Sequence, residues 1–389
     1  MTWPMPRSAR RWRPFMLDRE ATIVLNMIPG IGHVRYTALK EAFGSPAAVF
    51  GRTAEELEAV PGVGPQLAEK VASYDWEAGL RAELDLCDRA GVRILTLWDE
   101  AYPQILRTLY DPPLCLYVRG KLPPFPNNAV AVVGTRRMTQ YGARMTRMIT
   151  EEAVAAGYAV VSGLAFGVDT VAHSAAVEMN GVTVAVLGGG LMRIHPQENV
   201  PLARRIVETG GALVSEFPMM CPVSRTTFPR RNRIVAGMCC ATIVTEAGVG
   251  SGALITARQA LDNSREVCAV PGHADNMQAK GCHALIKEGA ALVESFSDVL
   301  DVLGARGGYL PGLEPDEVCE GKVAYDPGSS SDLSADERKI LKLLGGSEMA
   351  LEELAGAAGF ETGRLLGVLM SLEMKMLVEH GANQVYRLI

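Results

Sequence analysis

The chain has 389 residues, 48% of them hydrophobic, which allows a sizeable core and predicts two to three domains. Its net charge of −6 excludes a globally basic nucleic-acid binder, so any anion site must come from local clustering. Eight cysteines without a Cys-x-x-Cys, several inside apolar runs such as Glu266-Val267-Cys268-Ala269-Val270, argue against a disulfide frame and predict free thiols in a cytoplasmic protein.

Residues 1–19 carry five arginines and Pro4, Pro6 and Pro14, without the apolar stretch of a signal peptide. They read as a basic tail, and no later run is long enough to span a membrane. Residues 20–80 read as short helices around two similar turns, Ile28-Pro29-Gly30-Ile31-Gly32 and Val60-Pro61-Gly62-Val63-Gly64, 32 residues apart. Helical patterns follow each turn, His33 to Phe43 and Pro65 to Ser73. An apolar-Pro-Gly-apolar-Gly turn between helices looks like a helix-hairpin-helix, in which glycine permits the tight turn and free N–H groups can face a phosphate. The same repeat also serves as a packing module, and these helices carry Glu55, Glu56, Glu58 and Glu69.

Residues 81–303 read as one core with a connecting layer in front. Helix Leu80–Ala90, a strand at Val92–Leu97 and a proline-rich passage through Pro124 make up that layer. From Ala129 the apolar runs are Ala129–Val133, Tyr158–Val161, Thr183–Leu187, Ala212–Val214, Ala241–Thr245, Glu266–Val270 and Ala291–Val293, with helical patterns between most of them. Unbroken apolar runs alternating with helices predict a doubly wound α/β domain with a parallel sheet covered on both faces. Residues 304–332, with Gly307-Gly308, Pro311, Pro315, Pro327 and three serines from Ser329, predict a linker. Residues 333–389 predict helices Ser334–Leu344, Leu351–Ala358 and Glu361–Met376, then two short strands around Gly381-Ala382-Asn383, the order of a winged helix.

Parallel sheets of this kind bind ligands beyond the carboxyl ends of their strands. The loops there are Gly134-Thr135-Arg136-Arg137, Ser162 to Gly167, Gly188–Gly190 and Glu246 to Gly252. All contain glycine and two lead into helix N-termini, which favours a phosphate-bearing ligand. The loops lack the Gly-x-Gly-x-x-Gly of a dinucleotide site, a Walker lysine and a Gly-x-Ser-x-Gly elbow. No cofactor is expected. Asp169 and His173 share a helix face, read as a cap and an internal hydrogen bond rather than a catalytic pair. Cys282-His283 lacks partners at ligand spacing, so no metal is expected.

What remains is basic. Residues 134–149 hold Arg136, Arg137, Arg144 and Arg147 with no acid, and residues 219–234 hold Arg225, Arg230, Arg231 and Arg233 with no acid. The second run contains Phe228-Pro229-Arg230-Arg231-Asn232-Arg233. Arginine offers planar bidentate bonding to phosphate, and a ring beside it offers a face to a base. A glycine-rich anion cradle next to such residues suits single-stranded nucleic acid.

The same residues carry a resemblance. In order they are Gly134-x-Arg136-x-x-Thr139-x-Tyr141-Gly142, Ser162-Gly163-Leu164-Ala165-x-Gly167-Val168-Asp169-x-x-Ala172-His173, Ser215-Glu216, Phe228-Pro229-x-Arg231-Asn232-Arg233-Ile234-x-Ala236-Gly237, Glu246-Ala247, Ser251-Gly252-Ala253-Leu254-Ile255-Thr256-Ala257 and Pro271-Gly272. Over about residues 90–300 the chain resembles the DNA-processing protein A (DprA/Smf) family, whose longer members also have a sterile-alpha-motif-like or helix-hairpin-helix start and a winged-helix end. The resemblance implies an extended Rossmann-like core that binds single-stranded DNA, forms a homodimer and loads the RecA recombinase in natural transformation, with single-strand-binding protein as a further partner. It implies no catalysis.

Carried onto this chain, the resemblance implies DNA contacts from Gly134, Thr135 and Arg136. It implies phosphate contacts from Ser162, Gly163, Arg225, Ser251 and Gly252, and base stacking by Phe228. Arg231, Asn232 and Arg233 complete the wall. Two positions depart from the family pattern: Phe166 stands where an arginine is common, and His195-Pro196 replaces Tyr-Pro. Phe166 removes one cation and offers stacking instead. The winged-helix segment holds six Lys or Arg against eight Asp or Glu. Arg364 and Lys375 are the cations of its third helix, which fits a protein contact better than a DNA groove. The competing reading is an enzyme, a nucleotide phosphoribohydrolase of the lysine-decarboxylase-like type. That class places its glutamate after the glycines, whereas Glu246 here precedes them.

Overall fold

Runs of alanine and valine build the sheet, because they can be buried on both faces at once. In the strand Ala129–Gly134, Ala131 and Val133 pack into one hydrophobic cluster while Val130 and Val132 pack into another. The computed structural model describes residues 16–123, 128–304, 334–344, 349–360, 362–374, 377–380 and 385–388. The tail to residue 15, the expected linker from residue 305 and the Gly381-Ala382-Asn383 turn lie outside the described residues. Two units are present, residues 1–312 and 313–389.

The strands of the first unit are β1 (Arg93–Thr96), β2 (Cys115–Gly120), β3 (Ala129–Gly134), β4 (Ala159–Ser162), β5 (Thr183–Val186), β6 (Ala212–Ser215), β7 (Ala241–Glu246), β8 (Glu266–Ala269) and β9 (Ala291–Leu292). They form one sheet in the order β1-β2-β6-β5-β4-β3-β7-β8-β9. The strands from β3 onward pair in parallel. The parallel sheet is extended by β1 and β2, which pair antiparallel with each other, and β2 pairs antiparallel with β6. The sequence reading missed β2, whose short apolar run follows Asp111-Pro112-Pro113. Between β1 and β2 lies only the short helix Gln104–Arg107, so the chain doubles back instead of crossing over.

Helices Gln140–Ala155 and Val168–Glu178 cover one face through Met145, Ile149, Ala172 and Ala176. Helices Thr227–Gly237 and Gly252–Asp262 cover the other through Ile234, Val235, Ala257 and Ala260. The helical N-terminal segment shares its core with one end of the sheet, where Ile28, Ile31, Val60 and Val63 join a cluster with Tyr117, Leu187 and Leu213. Its two turns need glycine, with φ of +106° at Gly30 and +80° at Gly62. The Arg35 guanidinium donates to both turns, from Nη1 to the Gly30 carbonyl at 2.5 Å and from Nε to the Gly62 carbonyl at 2.8 Å. Two further bonds pin the connection after β6: Asn26 Nδ2 donates to the Glu216 carbonyl at 3.0 Å, and the Met219 N–H donates to buried Glu83 Oε1 at 2.7 Å.

In the second unit, helices Ala335–Leu344, Leu351–Ala358 and Thr362–Met374 pack around Ile340, Leu341, Leu354, Leu365, Leu369 and Leu372. A small sheet joins Met349–Ala350 to Val385–Leu388 and the latter to Val378–His380, all antiparallel. The first of these strands was not foreseen. Among the described residues no helix is long and apolar enough to cross a membrane.

Candidate nucleic-acid interface

Strand order reverses beside β3, which pairs with β4 on one side and β7 on the other. The crevice outside the carboxyl ends of the strands at such a point is the usual ligand position in open α/β sheets. Here it is a groove of about 730 Å³. Its lining gathers Gly134, Thr135 and Arg136 from the end of β3, Gly163 from just after β4, and Arg225, Phe228, Arg231 and Asn232 from the connection after β6. Ser251 and Gly252 join from the loop after β7. Arg137, Asp169, Val249, Ile255, Met277 and Gln278 line it too, and these the sequence reading had not placed in the site. The signal for Arg137 was present in the basic run. For Val249 and Met277 it was an apolar side chain inside an otherwise polar or glycine-rich loop.

One wall is an arginine on a ring. The Arg136 guanidinium lies over Phe228, 4.9 Å from the ring centroid. Gly188 packs beside that ring, where a Cβ would come within 3.0 Å of it. Arg136 and Arg225 are exposed, whereas Phe228 is half-buried. Among the described residues Arg136, Arg137 and Arg225 have no carboxylate at ion-pair distance, unlike Arg147, Arg230 and Arg233.

The floor is a buried cation. Arg231 is only 4% exposed. Its Nη1 donates to the carbonyls of Gly163 and Val186, and its Nε donates to Asn232 Oδ1 at 3.0 Å. Burial pulls its pKa down to about 10, against the pull of Asp169 upward. Burial raises the Asp169 carboxyl, opposed by Arg231 and by N–H bonds from Gly163 and Ala165, at 3.1 and 3.3 Å. Gly163 has no room for a side chain, since a Cβ would lie 2.4 Å from the guanidinium.

Three residues of the expected site stand apart from the groove. Ser162 is buried and does not line the groove, and its hydroxyl donates to the Val132 carbonyl at 2.7 Å. The Gly163 N–H is likewise taken by Asp169. Arg233 pairs with buried Glu216 and with Asp111, because Glu216 sits just before the acid-free run and Asp111 arrives from the β1–β2 connection. Phe166 is 44% exposed and does not line the groove. The basic ridge is shorter than its sequence: Arg147 pairs with Glu151 and Glu178, and Arg230 pairs with Glu216.

The other candidates resolve into structural roles. Glu246 accepts from the Thr139 N–H and hydroxyl, both at 2.7 Å, which starts the helix after β3. His173 is fully buried with Nδ1 2.7 Å from the Thr183 hydroxyl, and burial, then Arg231, pulls its pKa down to about 3. His283 Nε2 meets the Gly272 carbonyl at 3.0 Å.

The sequence profile of the family described as DNA recombination-mediator protein A matches residues 93–304. A DprA winged-helix domain matches residues 325–383, and a SAM-like helix-hairpin-helix tandem matches residues 23–73. The chain is 39% identical to the protein Smf of Escherichia coli over 275 residues, 71% of this chain and 72% of that protein. It is 31% identical to the protein Smf of Synechocystis over 385 residues, 93% of this chain and 96% of that protein. The X-ray structure of DNA processing protein A from Streptococcus pneumoniae matches with a TM-score of 0.62 at 32% identity, over 74% of this chain and 98% of that one.

Proposed function

The chain belongs to the DNA recombination-mediator protein A (DprA/Smf) family, and from that premise we propose that its groove binds single-stranded DNA. In this reading the protein protects incoming strands and helps load RecA recombinase during natural transformation. It acts in the cytoplasm as a homodimer beside single-strand-binding protein. The observation that carries the reading is the set of arginines with no carboxylate partner among the described residues, Arg136, Arg137 and Arg225, around one groove at the strand-order reversal. Cations without carboxylate partners keep their charge for an outside anion, and a repeated phosphate backbone is the anion that several spaced arginines fit. A solvent-open groove beside a phenylalanine also leaves room for bases.

One observation weighs against the enzyme reading: Glu246 is buried, and both of its oxygens accept bonds from Thr139 at the start of the helix after β3.

A salt titration of oligo-dT binding tests the proposal. Affinity should fall steeply with salt, and Arg136→Ala and Arg225→Ala should each flatten the slope by roughly one contact. Retention of a nucleoside monophosphate without any oligo-dT binding would sink it. The loading role has its own test: RecA filament formation on single-stranded DNA coated with single-strand-binding protein should speed up when this protein is added.

A further inference from the structure

Two parts of the groove lining differ in kind. The part just after β3 and just before the helix Thr227–Gly237 carries Arg136, Arg137 and Arg225. The part from the loops after β7 and β8 and the start of helix Gly252–Asp262 has no Lys or Arg among its lining residues. It presents three large apolar side chains to solvent instead: Val249 is 79% exposed, Met277 67% and Ile255 42%. Val249 stands between two glycines, and Met277 stands between Asn276 and Gln278. Apolar residues scattered singly over a surface are ordinary, whereas these three gather on the lining of one groove.

The two loops are held as one surface. The Gly281 N–H donates to the Ala247 carbonyl at 2.7 Å, and a Cβ on Gly248 would sit 3.2 Å from the Met277 carbonyl. Meanwhile the aromatic ring of the cationic wall is already engaged, with Arg136 over its face and Gly188 at its edge. Apolar surface is therefore more open on Val249, Ile255 and Met277 than on Phe228.

We propose that Val249, Ile255 and Met277 form the nucleobase wall of the groove, so that a strand lies with its phosphates on the arginines and its bases turned to this ledge. The proposal rests on the single-strand reading and adds its orientation. Apolar contact is indifferent to which base is present, and the flexible thioether of Met277 adapts to any ring. The wall thus contributes affinity without sequence preference and without salt dependence.

The full chain carrying Val249→Ala and Met277→Ala tests this, since both side chains are exposed and neither supports the core. Affinity for oligo-dT should fall about tenfold, the scale of one base contact, with the salt slope unchanged. The loss should vanish on an abasic oligomer with the same number of phosphates. Arg136→Ala should lose affinity on both oligomers and flatten the slope on both. Wild-type affinity of the double variant, or an equal loss on the abasic strand, would overturn the assignment. So would a change confined to oligomeric state in sedimentation, which would make the ledge a contact between copies. Failure of the single-strand reading itself looks different, because then the wild-type chain would retain neither oligomer.

Discussion

Arg136 in the groove and Arg364 in the C-terminal unit begin alike. Each lies over a phenylalanine at 4.9 Å from the ring centroid, Arg136 on Phe228 and Arg364 on Phe360. They differ in what else reaches them. Asp336, from the first helix of the C-terminal unit, accepts from Arg364 Nε at 3.0 Å and from Nη2 at 2.6 Å. No carboxylate among the described residues pairs with Arg136. The local motif of cation on ring is the same, but only one charge is left for an outside anion. Whether an arginine can serve nucleic acid is thus decided by acids from other elements, which a local window of sequence does not show. The same rule divides Arg225 from Arg233 within one connection, because Glu216 and Asp111 claim the second.

Four perturbations break or sharpen this contrast. Gly163→Ala puts a methyl group against the Arg231 guanidinium and drives it off two carbonyls. Stability should fall by about 3 kcal/mol in denaturant melts, and the groove floor should be lost with it. His173 comes next, through pH. It is neutral in the fold, with its pKa held at about 3, while the unfolded chain takes up a proton near the ordinary 6.5. Its contribution is therefore complete above pH 6.5 and is lost as pH falls toward 3, by up to about 1.4 kcal/mol per pH unit. Melts of His173→Gln should show a shallower acid limb than the wild type; parallel limbs would contradict the assignment.

Arg136→Ala should weaken oligo-dT binding about tenfold at low salt, an effect that shrinks as salt rises. Arg364→Ala should do least. Its pair is exposed, so a stability change under about 0.5 kcal/mol is expected. Oligo-dT affinity should stay at the wild-type value. A tenfold loss from Arg364→Ala would erase the distinction between the two arginines.

Much of this was legible because the parallel core writes itself in unbroken apolar runs. The runs at Ala129–Val133 and Ala241–Thr245 lie within β3 and β7, and the glycine loops between them mark the switch point. The strand β2 was less visible, since it is short and enters from a run of prolines. Site membership was legible where a residue's neighbours in sequence are also its neighbours in space, as for Gly134 to Arg136. It failed where distant chain intervenes. Ser162 reads as a phosphate contact in sequence, but its hydroxyl donates to the Val132 carbonyl on the adjacent strand. The apolar ledge was missed for the opposite reason: Val249 and Met277 belong to one surface only after β7 and β8 pair.

Arg231 also sets an order of events. Its guanidinium closes on Gly163 and Val186, which precede it by 68 and 45 residues. As the chain emerges from the ribosome, β4 and β5 are therefore finished well before the cation that caps their ends. Residues 248–252 and 277–278 of the lining follow later still, so the groove is complete only once the loops after β7 and β8 have joined its floor.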